Sequence, residues 1–313
     1  MDRVATRDAY GEALVELGEK YSNIVVLDAD LSGSTRTSKF ARKFPERFFN
    51  MGVAEQNMMV TAAGFALAGF IPYVSTFAIF ATGRAWEPIR QSIAYSNINV
   101  KIVASHAGIT VGEDGGSHQS IEDIALMRVI PNMYVFVPAD AVETKKIIKK
   151  IMEIDGPCYV RTGRSKVPVI FDNSYEFTPG KGKIVREGKD VAIIATGIEV
   201  YESLKAAEIL EKKGISALVV NMSSIKPIDR ELIEEVAERT GKIVTVEEHS
   251  IYGGLGSAVS EVIGETKPVP VKIIGIRDRF GISGKAEELV RYFKLDTESI
   301  AREVESFLSR IND

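Results

Sequence analysis

Only three histidines occur among the 313 residues, and two of them, His106 and His118, bracket the segment HAGITVGEDGGSHQ. Imidazole donates, accepts and transfers protons near neutral pH, which suits a polar sugar or carbonyl substrate. Glu113 and Asp114 add carboxylates to this segment, and Gly108, Gly112, Gly115 and Gly116 permit close backbone approach. Two readings are open: a ligand-lining loop, or a glycine-rich surface loop with incidental histidines. Glu55 lies in the apolar stretch FNMGVAEQNMMVTAAGFALAG, where a buried carboxylate needs a partner. A helix cap or an internal salt bridge is the plainer alternative. Phe77 and Phe80, in STFAIF, stand three positions apart and either wall a ligand or belong to the core.

Other patterns point away from chemistry. His106, Asp114, His118 and His249 show no zinc-ligand spacing, because HxH, HExxH and CxxC are all absent, and no metal is expected on this chain. YGGLGS, with Gly253, Gly254 and Gly256, matches neither GxxxxGK[ST] nor GxGxxG and reads as a tight turn entering a helix. Cys158 has no base near it in sequence and reads as a buried structural thiol. As the single cysteine it forms no internal disulfide, which suggests a reducing, cytoplasmic setting. Lys and Arg total 39 against 43 Asp and Glu, a net charge of −4 that argues against a general nucleic-acid binder. The start, MDRVATRDAY, shows no apolar leader, and the stretch from Val60 to Phe80 is broken by glycines and Pro72, so no membrane span is expected.

These residues need a scaffold. Val4–Lys20 has a helical pattern with Thr6 as a candidate cap, and Ile24–Leu27 is a short strand ending at Asp28. Glu55–Leu67 reads as a buried helix, Pro72–Thr76 as a strand and Trp86–Tyr95 as a helix. Val100–Ser105 and Tyr134–Val137 read as strands, and Ala139–Ile151 as a helix with a lysine-rich outer face. Residues 172–190 are rich in turn formers and charges and read as a linker with one short strand near Ile184. Strands at Val191–Ala195, Ala217–Val220, Ile243–Val246 and Val271–Ile276 then alternate with helices at Glu199–Lys213, around Leu232–Ala237 and at Thr297–Leu308. The fold class is therefore α/β: two domains, 1–172 and 191–313, joined by 173–190, each a mainly parallel sheet flanked by helices.

Taken together, NMGVAEQN, STFAIF and HAGITVGEDGGSHQSIED resemble the C-terminal half of the transketolase family. VAIIATGIEV, SIKPID, VEEHSIYGGLGSAV and RDRFGISG resemble that family's last domain. The resemblance implies a pyrimidine-binding domain followed by a transketolase C-terminal domain, and two-carbon ketol transfer with thiamine diphosphate in the pentose phosphate pathway. It makes Glu55 the residue that bonds the cofactor's pyrimidine nitrogen and activates it. Phe77 and Phe80 match aromatics around that ring, and a third aromatic position falls on Gly83, leaving a gap that Trp86 is a candidate to fill. His106, Asp114 and His118 match residues that line the donor channel and assist proton transfers. Arg7, Ser34 and Arg164 match the sugar-phosphate site, with Arg161 an assistant or a brace. Asp30, in LDADLSGS, matches a position near the cofactor and subunit contact.

The family's diphosphate-binding domain, with its GDG motif and magnesium ligands, has no counterpart here, since GEDGG matches the donor-channel loop instead. The resemblance thus implies a partner chain that carries GDG, holds Mg2+ and completes the pocket, with two copies of each chain as the simplest closed assembly. The second domain is expected to support assembly and leave the chemistry to the first domain and the partner. Competing readings are a 1-deoxyxylulose-5-phosphate synthase part, a 2-oxoacid dehydrogenase beta subunit, and a non-catalytic regulatory or scaffold subunit.

Overall fold

A computed structural model describes residues 2–312. The first half runs β1 (Arg3–Ala5), α1 (Thr6–Lys20), β2 (Ile24–Asp28), α2 (Ser32–Thr35), α3 (Ser38–Lys43), β3 (Phe48–Asn50), α4 (Glu55–Leu67) and β4 (Ile71–Ser75). It continues through α5 (Trp86–Pro88), β5 (Lys101–Ala104), α6 (Asp123–Arg128), β6 (Tyr134–Phe136), α7 (Ala141–Lys150), β7 (Cys158–Arg161) and β8 (Lys166–Pro168). The second half comprises β9 (Lys183–Arg186), β10 (Val191–Ala195), α8 (Glu199–Glu211), β11 (Ala217–Asn221), β12 (Ser224–Lys226) and α9 (Arg230–Thr240). It ends with β13 (Ile243–Ser250), α10 (Leu255–Glu265), β14 (Val271–Ile276), α11 (Ala286–Tyr292) and α12 (Thr297–Asn312).

Two large sheets organise these elements, and β1 pairs with β8 in a separate two-stranded antiparallel ribbon. The larger has seven strands in the order β12-β6-β7-β5-β4-β2-β3, parallel except for β12. The smaller has five, β14-β13-β10-β11-β9, parallel except for β9. Every residue of β2, β10 and β11 is buried, as expected for parallel strands covered on both faces, and this is why they read as apolar runs up to Asp28 and Asn221 at the ends of β2 and β11. The linker strand near Ile184 is β9, an antiparallel edge. β12 belongs by sequence to the second half yet pairs with β6, and one apolar cluster runs from Val135 and Tyr159 to Ile194 and Leu218. The halves therefore share packing.

Local expectations fare unevenly. Asp140 caps α7, accepting from Glu143 N at 2.8 Å. Thr6 does not cap α1; its hydroxyl instead accepts from Gly163 N at 2.7 Å, tying the helix start to the loop after β7. The helix read over Trp86–Tyr95 is one α turn followed by a π turn, Ile89–Ala94, and a second π turn spans Phe80–Arg84. Among the described residues, no helix is long and apolar enough to cross a membrane.

Candidate active site

The strands β2, β4, β5 and β7 end side by side at one edge of the larger sheet, where parallel α/β sheets take ligands. β4 and β5 keep pairing beyond their ends: Ser105 N donates to Thr76 O at 3.0 Å and Ala78 N to Ser105 O at 2.7 Å. This pairing sets Phe77 against His106, with ring centroids 3.8 Å apart and planes 14° from parallel. His106 takes φ +57°, a costly conformation for a side-chain-bearing residue, and is 2% exposed.

His106 Nδ1 lies 2.7 Å from Ser105 Oγ, and Nε2 lies 3.4 Å from Arg7 Nη1. A guanidinium can only donate, so the partners assign Nε2 as acceptor and put the ring proton on Nδ1. Burial first, then the charges of Arg7, Arg164 and Arg36, push the His106 pKa down to about 3. The ring is therefore neutral at physiological pH, able to orient hydroxyls through hydrogen bonds. A folded pKa below the unfolded value of ~6.5 contributes stability above that pH, and the contribution is lost as pH falls toward the folded value. His106→Gln is expected to unfold with a shallower decline in Tm than wild type between about pH 6.5 and about pH 5. Identical slopes in paired thermal melts would show that His106 carries none of the acid sensitivity.

His118 stands edge-on to Phe80, with centroids 5.4 Å apart, and its Nδ1 lies 3.0 Å from Ser117 Oγ. Phe77 is 6% exposed behind His106, whereas Phe80 is only partly covered. Glu55 opens α4, is 2% exposed, and accepts from Arg84 Nη1 at 2.8 Å through Oε1. The partner that a buried carboxylate requires is thus Arg84. Oε2 accepts no hydrogen bond from any described residue. Trp86 does not complete the aromatic wall: it turns into the core and donates from Nε1 to Leu126 O at 2.9 Å. Arg84 lies over Phe80 instead, its guanidinium carbon 4.5 Å from the ring centroid.

Three guanidinium groups gather beside His106. Arg7 Nη1 donates to the carbonyl of Ser34 at 3.0 Å, so Ser34 meets it through its backbone. Burial, then the charge of Arg36, lowers the Arg7 pKa, and its buried Nε has no partner. Crowded like charge with an unused donor suits an anion. Arg164 Nη1 lies 3.2 Å from Glu113 Oε2 and 3.9 Å from Asp114 Oδ1, and also bonds the carbonyl of Val111. Asp30 is exposed at φ +63° and accepts from Asn50 Nδ2 at 2.9 Å. Asp28, which the sequence reading did not select, organises this loop: its buried carboxylate accepts from Leu31 N at 2.6 Å, Thr35 Oγ1 at 2.7 Å and Thr37 Oγ1 at 2.8 Å. Arg36 was also missed, although it lies only two residues beyond Ser34.

The second domain grips the glycine-rich loop. Glu248 Oε1 accepts from Thr110 N at 2.7 Å, and a Cβ on Gly108, which sits at φ +77°, would overlap its carboxylate. Gln119 Nε2 donates to Ile109 O, Gly112 O and Ile282 O at 3.2, 3.1 and 2.9 Å. Arg161 is a brace: it bonds Asp123 at 2.8 Å and the Glu248 carbonyl at 2.9 Å. Burial opposes its charge, but Asp123 and Glu248 outweigh burial and raise its pKa. The second domain thus supports the backbone that carries His118. The YGGLGS turn is filled from within: Glu247 accepts from Leu255 N at 2.7 Å and Gly256 N at 2.8 Å, at the start of α10. Burial pushes the Cys158 thiol up to about 11, leaving it inert as expected.

Residues 2–169 match the transketolase pyrimidine-binding domain, and residues 180–300 match the transketolase C-terminal domain. The chain belongs to the transketolase family. It is 58% identical over 302 residues to a protein named as a transketolase C-terminal section in Methanocaldococcus jannaschii, covering 95% of this chain and 94% of that one. Human transketolase is 39% identical over 313 residues, which span 99% of this chain and 50% of the human protein. A solved split-gene transketolase, described as an inactive beta4 tetramer, superposes with a TM-score of 0.91 at 56% identity, covering 98% and 99% of the two chains. The chain thus corresponds to the C-terminal section of transketolase, an enzyme family that transfers ketol groups, and its pyrimidine-binding domain implies thiamine diphosphate. The residues present fit that group: a buried carboxylate with one unused oxygen beside a partly open aromatic ring.

Proposed function

We propose that this chain is one subunit of a split transketolase, moving a two-carbon ketol unit from a ketose phosphate to an aldose phosphate. The supporting observation is the convergence at one sheet edge of Glu55, Phe80, His106, His118 and the guanidinium groups of Arg7 and Arg164. Thiamine diphosphate, when bound, supplies the electron sink for the carbon–carbon bond cleavage. Glu55 would hold the pyrimidine nitrogen through Oε2, and Phe80 with Phe77 behind it would wall the ring. His106, His118 and Asp114 would bond sugar hydroxyls, with the histidines also assisting proton transfer. Arg7, Arg164 and the Ser34 turn would take the phosphate. Asp30 would lie toward the partner.

A separate partner with the GDG motif would hold the diphosphate and Mg2+. Support comes from the relatives: the chain matches one C-terminal section over nearly its whole length but only half of the human enzyme. The split-gene relative, as a beta4 assembly, is described as inactive. Two copies of each chain would give a closed assembly. The domain division at 1–172, 173–190 and 191–313 and a cytoplasmic location belong to the same proposal.

The sugar-phosphate assignment has its own test. A charge-assisted hydrogen bond contributes about 1.5–3 kcal/mol, so Arg164→Ala is expected to raise KM for a phosphorylated ketose ~10–100-fold, with a smaller change in kcat. An unphosphorylated ketose should show no such change in steady-state assays of the assembled enzyme. Equal losses for both donors would remove Arg164 from the phosphate site.

A further inference from the structure

The aromatic ladder Phe77, Phe80 stops at Gly83, which is exposed and has only Ile79 Cδ1, at 3.7 Å, near a built Cβ. The chain leaves α-helical geometry at this point: Ala85 N donates to Phe80 O at 3.3 Å, an i→i+5 bond. The wider turn brings the next residue, Arg84, into the place that the three-residue rhythm assigned to Gly83. Its guanidinium covers Phe80 at 4.5 Å and donates to Glu55 Oε1 at 2.8 Å. Its own carbonyl accepts from Gln56 Nε2 at 3.1 Å, so the residue beside Glu55 clamps the backbone of the turn. Arg84 is thus tied to the first turn of α4 from both its side chain and its main chain.

We infer that Arg84 is a positioning residue for Glu55: it occupies Oε1, fixes the carboxylate plane and leaves Oε2 as the oxygen offered to the cofactor's pyrimidine ring. The inference rests on the transketolase reading above. Arg84 also replaces the missing third aromatic as a flat cationic lid over Phe80. A guanidinium suits both tasks, because its plane stacks on a ring while its N–H groups point along that plane. Without it, the carboxylate keeps its burial but loses its only described hydrogen bond, and its rotamer is no longer set.

The test uses the full chain, alone and assembled with the complementary diphosphate-binding chain. Without cofactor, Arg84→Met is expected to lower Tm by about 2–4 °C for each kcal/mol lost, and the effect should shrink in the Glu55→Gln background, as coupled neighbours require. With cofactor, Arg84→Met is expected to weaken thiamine diphosphate binding and to slow proton–deuterium exchange at its C2 position ~10–100-fold at saturation. Arg84→Lys, which restores the charge and one donor, should recover most of the exchange rate. KM for the sugar phosphates should stay near wild type, which separates positioning from general damage. Wild-type exchange in Arg84→Met, or tighter cofactor binding, would overturn the inference and make Arg84 a plug displaced by the cofactor. Arg84→Lys failing as badly as Arg84→Met would overturn it as well. If Glu55→Gln itself exchanged at the wild-type rate, the transketolase reading of Glu55 would fail first, so the two failures are distinguishable.

Discussion

Glu55→Gln in the assembled enzyme is expected to lower ketol transfer by ~100–10,000-fold, the usual loss when a proton-transfer group is removed. Glutamine keeps nearly the same volume and can still accept from Arg84 Nη1, which lies 2.8 Å from the native Oε1. Folding and partner assembly should therefore change much less than turnover. The substitution replaces the carboxyl oxygen on the far side of the same group, the one with no described partner, by an amide nitrogen. Exchange of the cofactor's C2 proton for deuterium separates activation from binding. Glu55→Gln should bind thiamine diphosphate and exchange that proton far more slowly than wild type. Wild-type exchange with equal cofactor binding would show that Glu55 is not the activating group.

Much of the scaffold was legible because parallel strands buried on both faces write themselves as apolar runs. Val191–Ala195 and Val271–Ile276 were bounded as the structure has them. β7 was missed, because CYVR is short and carries an arginine, yet Arg161 is buried with its charge answered by Asp123. No local signal reveals that β12 crosses to the first sheet, since register across domains is a tertiary choice.

The candidate site was legible where a scarce residue type drew attention to itself. His106 and His118 do meet the Phe77–Phe80 pair. Arg84 escaped notice because three-residue spacing assumes an α-helix, and a π turn moves the side chain by one position. Glu248 escaped because its contact with Thr110 spans 138 positions. YGGLGS was read as a tight turn entering a helix, and the backbone N–H groups of Leu255 and Gly256 at that helix start are indeed taken up within the chain, by the carboxyl group of Glu247.

The grip of the second domain on the glycine-rich loop bears on how the halves cooperate. Gly108, Gly115 and Gly116 each leave too little room for a Cβ, against Glu248, Ser283 and Gly281 respectively. The loop that carries Asp114 and His118 is thus moulded by residues of the C-terminal domain. That domain acts on the site through packing, whatever it also does for assembly.

The most direct measurement is a reconstitution assay. This chain is purified alone and then combined with the proposed complementary chain, the one expected to carry the GDG motif. Both preparations receive thiamine diphosphate, Mg2+, xylulose 5-phosphate and ribose 5-phosphate. Alone, the chain offers Glu55 and the Phe80 face but nothing proposed here to hold the diphosphate, so cofactor binding should be weak and ketol transfer undetectable. Addition of the complementary chain should restore both together. Full ketol transfer by this chain on its own would contradict the division of the active site between two subunits.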